Sequence, residues 1–319
     1  MTKIKKENIR KLWIPLLLMV TIVISCSPKA TLISPTATQI SPTAVEVKPG
    51  NELKPGNPGQ AEKILEDTNS SYKASENRAT AGDNFLNGLY ERPFTQKVMI
   101  YQPDVDILTA SIAEDENYFY FKIKLAGLDP NTNKLMADYA IEFDLNKDGR
   151  GDYLIWVKNP SKDWSSSGVT IYTDPDGDVG GKVPMSAEAG FKGDGYEKVM
   201  EVSAHSTSFF RIAPEDPTVV EIAISRKMLG NPKEFLWGAW ADAGLRVPQK
   251  FDYNDNFGPT EAGSPIKGNA DYPLNALFSV DNTCRAPFGF ASSVNIPGMC
   301  TSVQPKPESP SPVPGRPIA

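Results

Sequence analysis

The chain holds three cysteines and one histidine in 319 residues, and each scarcity closes off a class of chemistry. With His205 as the lone imidazole, a zinc cluster lacks donors, and a haem ligated by His205 and Met136 lacks any spacing that connects them. A Ser/His/Asp triad needs a hydroxyl on a strained turn, and no Gly-x-Ser-x-Gly elbow occurs. Two carboxylates for glycoside hydrolysis would be defined by their separation in space, and nothing in the sequence singles out a pair. The expectation is a protein that binds, with no catalytic residue assigned. Basic residues are also scarce, 33 against 39 acidic ones, for a formal charge of −6. An acidic surface repels phosphate backbones, so nucleic acid is not an expected partner and hard cations are. The longest apolar run, Leu12 to Ile24, is too short to span a bilayer comfortably.

That run carries the first positive signal. Lys3, Lys5, Lys6, Arg10 and Lys11 precede it against one acid, Glu7, the layout of a secretory signal. Its ending, Val23-Ile24-Ser25-Cys26, resembles the lipobox of bacterial lipoproteins. The resemblance implies a diacylglyceryl group on the Cys26 thiol, cleavage of residues 1–25, and a chain held at the membrane in the cell envelope, on its extracytoplasmic face. Loss of residues 1–25 would take the formal charge to −10. Lipidation of Cys26 leaves Cys284 and Cys300. An exported pair with no competitor is expected to form a disulfide, the alternatives being two free thiols or half a metal site.

Residues 26–60 read as a linker. They are rich in Pro, Ser and Thr and repeat Ile-Ser-Pro-Thr-Ala at 33–37 and 40–44 and Lys-Pro-Gly-Asn at 48–51 and 54–57. Such composition buries too little apolar surface to fold and favours extended conformations that supply reach. Residues 303–319 repeat the theme, with prolines at 305, 307, 310, 312, 314 and 317.

The roughly 240 residues between, 61–302, fall within the size range of single all-β domains. Apolar residues alternate with period two: Phe119, Phe121, Ile123 and Leu125 against Tyr118, Tyr120, Lys122 and Lys124, then Tyr139, Ile141 and Phe143. Further strands are expected at 98–101, 105–112, 153–157, 169–173, 198–202, 219–224, 235–241 and 274–280. Gly, Pro, Asn and Asp clusters separate them. The fold class is therefore all-β, an antiparallel sandwich of about nine to eleven strands with long loops; helix is expected only near 62–66, with a turn at 226–229. The stretches Asp104-Val105-Asp106-Ile107, Asp115 to Leu125 and Glu221-Ile222-Ala223-Ile224-Ser225 before Arg226 to Gly230 resemble the DOMON and family 9 carbohydrate-binding-module group. That resemblance implies a β-sandwich that binds a sugar or haem.

The sharpest local pattern is Asp144-x-Asn146-x-Asp148-Gly149-x-x-Asp152 between two expected strands. Oxygen donors at every second position, with the Arg150 carbonyl, can converge on Ca²⁺, which takes six to eight hard oxygens. Position 12 is Ile155 where an EF-hand has Glu, and the flanks are strands, so the spacing resembles the calcium loops of integrin-type repeats instead. Such an ion would be structural. The alternative is a polar turn with no ion, because the same residues favour turns. Asp174-Pro175-Asp176-Gly177-Asp178 and the stretch 252–256 are weaker versions. Trp156, Trp237 and Trp240 fall in strands and are expected in the core. Trp164 falls in the polar stretch 158–168 and is expected to expose its ring for stacking on a sugar, with Tyr172 and Tyr253 as partners. The expected ligand is an extracellular polysaccharide, the alternatives being another surface protein or, more remotely, a hydrolase substrate.

Overall fold

The computed structural model describes residues 54–79, 81–180, 194–200, 208–251, 253–265, 274–292 and 296–300. Cys26, most of the linker, His205 and the proline-rich tail lie outside the described residues. Among the described residues are thirteen strands: β1 (Lys63–Glu66), β2 (Glu91–Arg92), β3 (Ile107–Glu114), β4 (Tyr118–Leu125), β5 (Asp138–Asp144), β6 (Tyr153–Val157), β7 (Val169–Thr173), β8 (Lys198–Val199), β9 (Phe209–Ala213), β10 (Asp216–Ser225), β11 (Phe235–Asp242), β12 (Val280–Asn282) and β13 (Ala286–Phe288). They form two antiparallel sheets. One runs β1-β3-β4-β10-β9; the other runs β2-β12-β11-β5-β6-β7-β8, with β13 also paired to β11.

The period-two pattern decides which faces meet. Phe119, Phe121, Ile123 and Leu125 of β4 and Ile222 and Ile224 of β10 turn inward onto Tyr139, Ile141 and Phe143 of β5 and Trp237 of β11, all sealed from solvent. Phe121 meets Phe143 edge-to-face at 5.5 Å and Trp237 at 5.1 Å, each pair contributing about 0.5–1.5 kcal/mol beyond its burial. The eight-stranded sheet is buried on its other face too. Ala140, Leu154, Trp156 and Trp240 lie under a layer of loop residues that includes Tyr90, Val179, Tyr196, Phe251 and Tyr253. This third layer contains the short helices α1 (Tyr253–Asn256) and α2 (Pro259–Ala262). It explains why β5 and β11 are buried along their whole length.

Three expectations are corrected. Where a helix is expected near 62–66, Lys63–Glu66 form the edge strand β1, whose pairing with β3 satisfies backbone groups that so short a segment could not satisfy as an isolated helix. Residues 98–100 do not form a strand: 98 closes a turn over 96–98, Met99 takes φ 50°, which breaks the extended path, and only Tyr101 forms a bridge, to Phe94. Of 274–280, only Val280 is in a strand; Ser279 at φ 52° delays its start, while Leu274 and Leu277 pack as buried loop residues. On the linker side of residue 60, the Gly56 N–H donates to the Tyr120 hydroxyl (3.0 Å), the Gly56 carbonyl accepts from Trp164 Nε1 (3.1 Å), and Asn57 Oδ1 accepts from Arg211 (3.1 Å). Pro55, just before them, is buried.

Candidate cation-binding loops

The β5–β6 hairpin carries the Asp144 loop, and the chain leaving β7 carries the Asp174 loop beside it. The two are joined by an Arg150–Gly180 bridge and by the Gly151 N–H donating to the Val179 carbonyl (2.9 Å). They share one internal design. Asp144 Oδ1 accepts the N–H groups of Lys147 (2.6 Å) and Asp148 (3.3 Å), and its Oδ2 that of Gly149 (2.9 Å). Asp174 accepts from the same relative positions, Gly177 (2.7 Å), Asp178 (3.3 Å) and Val179 (2.9 Å). In both, the first Asp folds the loop by capping N–H groups that a tight turn leaves unpaired.

This folding occupies much of the donor set expected to hold calcium. Asp152 Oδ2 accepts from Leu145 and Asn146, Asn146 Oδ1 from the Asp148 N–H, and Asp148 Oδ1 from the Arg150 N–H. The Arg150 side chain turns to the Gly180 carbonyl (3.0 Å). Asp144, Asp148 and Asp152 do not gather as three carboxylates around one point; Asp174, Asp176 and Glu197 do, as do Asp176, Asp178 and Asp194, with one oxygen of each within 4.8 Å of the others in its group. Oxygens of Asp176, Asp194 and Glu197 are buried there without a partner. Burial, against the hydrogen bonds from Val179 and Gly177, pushes Asp174 up to about 7; burial likewise pushes Asp144 up to about 6 against the attraction of Arg285. The residues therefore fit a hard cation better at the Asp174 loop than at the Asp144 loop, which the sequence pattern favours.

A buried ion pair supports both loops. Arg285 donates from Nε and Nη2 to Glu142 (3.0 and 2.8 Å) and from Nη1 to the Gly149 carbonyl (2.7 Å), while Tyr196 and Trp240 also donate to Glu142. Burial alone would raise the Glu142 pKa, but Arg285 outweighs it and holds the carboxyl low. The Cys284–Cys300 disulfide is formed, and the segment it closes brings Arg285 into place beside a bridge to Met299. Asp178 ties the other side by accepting the Asp194 and Gly195 N–H groups, next to Tyr196.

No family model, curated protein or solved structure matches this chain. The site is accordingly read from its own geometry. That geometry separates the three aromatic residues expected to share a sugar face. Trp164 packs on the outer face of the five-stranded sheet against Tyr120, with the Arg211 guanidinium 4.3 Å from its ring centre. Tyr172 and Tyr253 belong to the opposite outer side, and Tyr253 is buried with its hydroxyl on Asp242 (3.1 Å). Trp164 is half-buried where an open ring is expected, because Arg211 covers it and Gly56 takes its N–H. Glu142, Arg285, Asp194 and Glu197 escape sequence reading, since none has a local motif and Glu142 sits in an ordinary strand pattern.

Proposed function

We propose that this chain is a lipoprotein anchored through Cys26 in the cell envelope, on the extracytoplasmic face, whose β-sandwich binds calcium and an extracellular polysaccharide without catalysing a reaction. The observation that carries the reading is the acidic end of the eight-stranded sheet, where Asp174, Asp176, Asp178, Asp194 and Glu197 crowd together with unpartnered oxygens. A hard cation there would neutralise the carboxylates, and its open coordination positions suit paired sugar hydroxyls. The disulfide supports an oxidising compartment. The sandwich architecture is consistent with the DOMON and family 9 carbohydrate-binding-module resemblance.

The test is depletion of the full chain from solution by insoluble polysaccharides, in calcium and in chelator. Depletion by one polysaccharide in calcium, lost in chelator and in Asp178→Asn, is the expected result; no depletion by any of them would sink the polysaccharide reading. A second reading, docking on another surface protein, is favoured by Val98 and Ile100, which stand 61 % and 58 % exposed, two residues apart.

A further inference from the structure

We propose that Glu91, Asp106 and Asp281 form a second, buried calcium site that clamps the two sheets of the sandwich together. The three residues come from β2, from the residue preceding β3, and from β12, so two belong to the eight-stranded sheet and one enters the five-stranded sheet. One carboxylate oxygen of each lies within 4.8 Å of the others, the widest separation two ligands can take on an ion that holds oxygens at about 2.4 Å. They are 2 %, 0 % and 0 % exposed, so water does not neutralise them. Among the described residues no Lys or Arg pairs with them. Arg92, next in sequence, turns its guanidinium to Asp83 and to the carbonyls of Ala262 and Leu277.

The second observation is that two of the three carboxylates are half-satisfied. Asp106 Oδ2 accepts from the Ser70 N–H (3.1 Å) and the Tyr101 hydroxyl (2.6 Å), and Asp281 Oδ2 from the Ile107 N–H (2.6 Å). Asp106 Oδ1 and Asp281 Oδ1 are buried with no partner at all, as is Oδ2 of neighbouring Asp67, whose Oδ1 accepts from Thr68. In Asp106 and Asp281 one oxygen fixes the side chain and leaves the other bare, which is how a preformed cation site is built, while Glu91 Oε1 accepts from the Ser70 hydroxyl. A buried anion without partner or counter-ion is expensive by several kcal/mol, and three together more so. Burial and mutual repulsion accordingly hold Glu91 and Asp281 well above the ordinary carboxylate range. The donor set is all hard oxygen with no nitrogen or sulfur, which suits calcium over zinc. Sugar binding plays no part in this inference.

The experiment uses the full chain, stripped with chelator and dialysed against calcium alone, with metal content and melting temperature as readouts. Asp281→Asn and Glu91→Gln should each hold one calcium fewer than the unsubstituted chain. Each should melt below it in calcium and at or above it in chelator, because removing one anion relieves repulsion when no ion is present. Asp178→Asn, in the loops, should leave this equivalent in place. In the unsubstituted chain, calcium should slow amide exchange at Ser70 and Ile107 by at least about tenfold, since their N–H groups hold the anchored oxygens. Unchanged calcium content in both carboxylate variants, or unchanged exchange at those two amides, would overturn the site and leave a cluster of protonated acids in its place.

Discussion

Asp242, at the end of β11, is sealed from solvent, with Oδ2 accepting from the Arg246 N–H and the Tyr253 hydroxyl and Oδ1 from the Gly244 N–H. Burial outweighs these bonds and pushes its pKa up to about 6 from an ordinary 3.8. A folded-state value above the unfolded one means that folding favours the protonated acid. The resulting stability is complete below about pH 4 and is lost as pH rises through about 6, by roughly 3 kcal/mol for a shift of this size. Asp242→Asn should remove that slope. Denaturant titrations at pH 4 and 7 should show the variant gaining about 3 kcal/mol on the unsubstituted protein between the two, whatever its absolute stability; a constant difference would refute the assignment. At Gly151 the decisive quantity is space. A Cβ there would meet Tyr196 Oη at 1.8 Å and Glu142 Oε1 at 2.9 Å. Gly151→Ala should therefore destabilise by about 1–3 kcal/mol, read as a lowered melting temperature.

At the scale of elements, the buried Arg285–Glu142 pair joins the disulfide-closed segment to β5 and to the Asp144 loop, and reaches the Asp174 loop through Tyr196, next to Gly195, which Asp178 holds. Arg285→Met strands Glu142 as a buried charge and should destabilise by about 3–5 kcal/mol, whereas the double variant with Glu142→Gln should recover most of that, as double-mutant analysis of unfolding would show. Loss of the ion pair without recovery in the double variant would mean that Arg285 acts through the Gly149 carbonyl instead. The elements themselves were unevenly legible. Strands β4, β5, β7 and β10 announce their faces through alternation, β6 and β11 read as near-continuous apolar runs, and Trp156, Trp237 and Trp240 pack in the core as their strand settings imply. Strands β2, β12 and β13 have two or three residues each and display no period, while β8 is the first two residues of the strand expected at 198–202. The outer loop layer was hidden for another reason: its aromatics are scattered through turns, and only the tertiary structure brings Tyr90, Phe251 and Tyr253 onto Trp240. Likewise the Asp144 loop was legible because its donors are local. The Glu91–Asp106–Asp281 group was not, because up to 190 positions separate its members, from 91 to 281.

Over the whole molecule, the arm that leads from Cys26 is pinned at residues 56–57 before it reaches β1, and the pin is Trp164, clamped between Tyr120 and Arg211. This divides anchoring from folding. If Cys26 carries the lipid, Cys26→Ala should move the full chain from the membrane to the soluble fraction of a lipoprotein-processing host. Its melting temperature should not change, because the described hydrogen bonds with the sandwich begin at residue 56. Trp164→Ala should do the reverse. It removes a half-buried ring, its stacked guanidinium and its bond to Gly56, so the protein should lose about 1–3 kcal/mol of stability while staying on the membrane. Polysaccharide depletion gives the third readout, since an acidic-loop site predicts that Trp164→Ala binds as the unsubstituted chain does once both are folded. A Trp164→Ala protein that keeps its melting temperature but loses depletion would return recognition to the aromatic face, and the acidic end would then be structural alone.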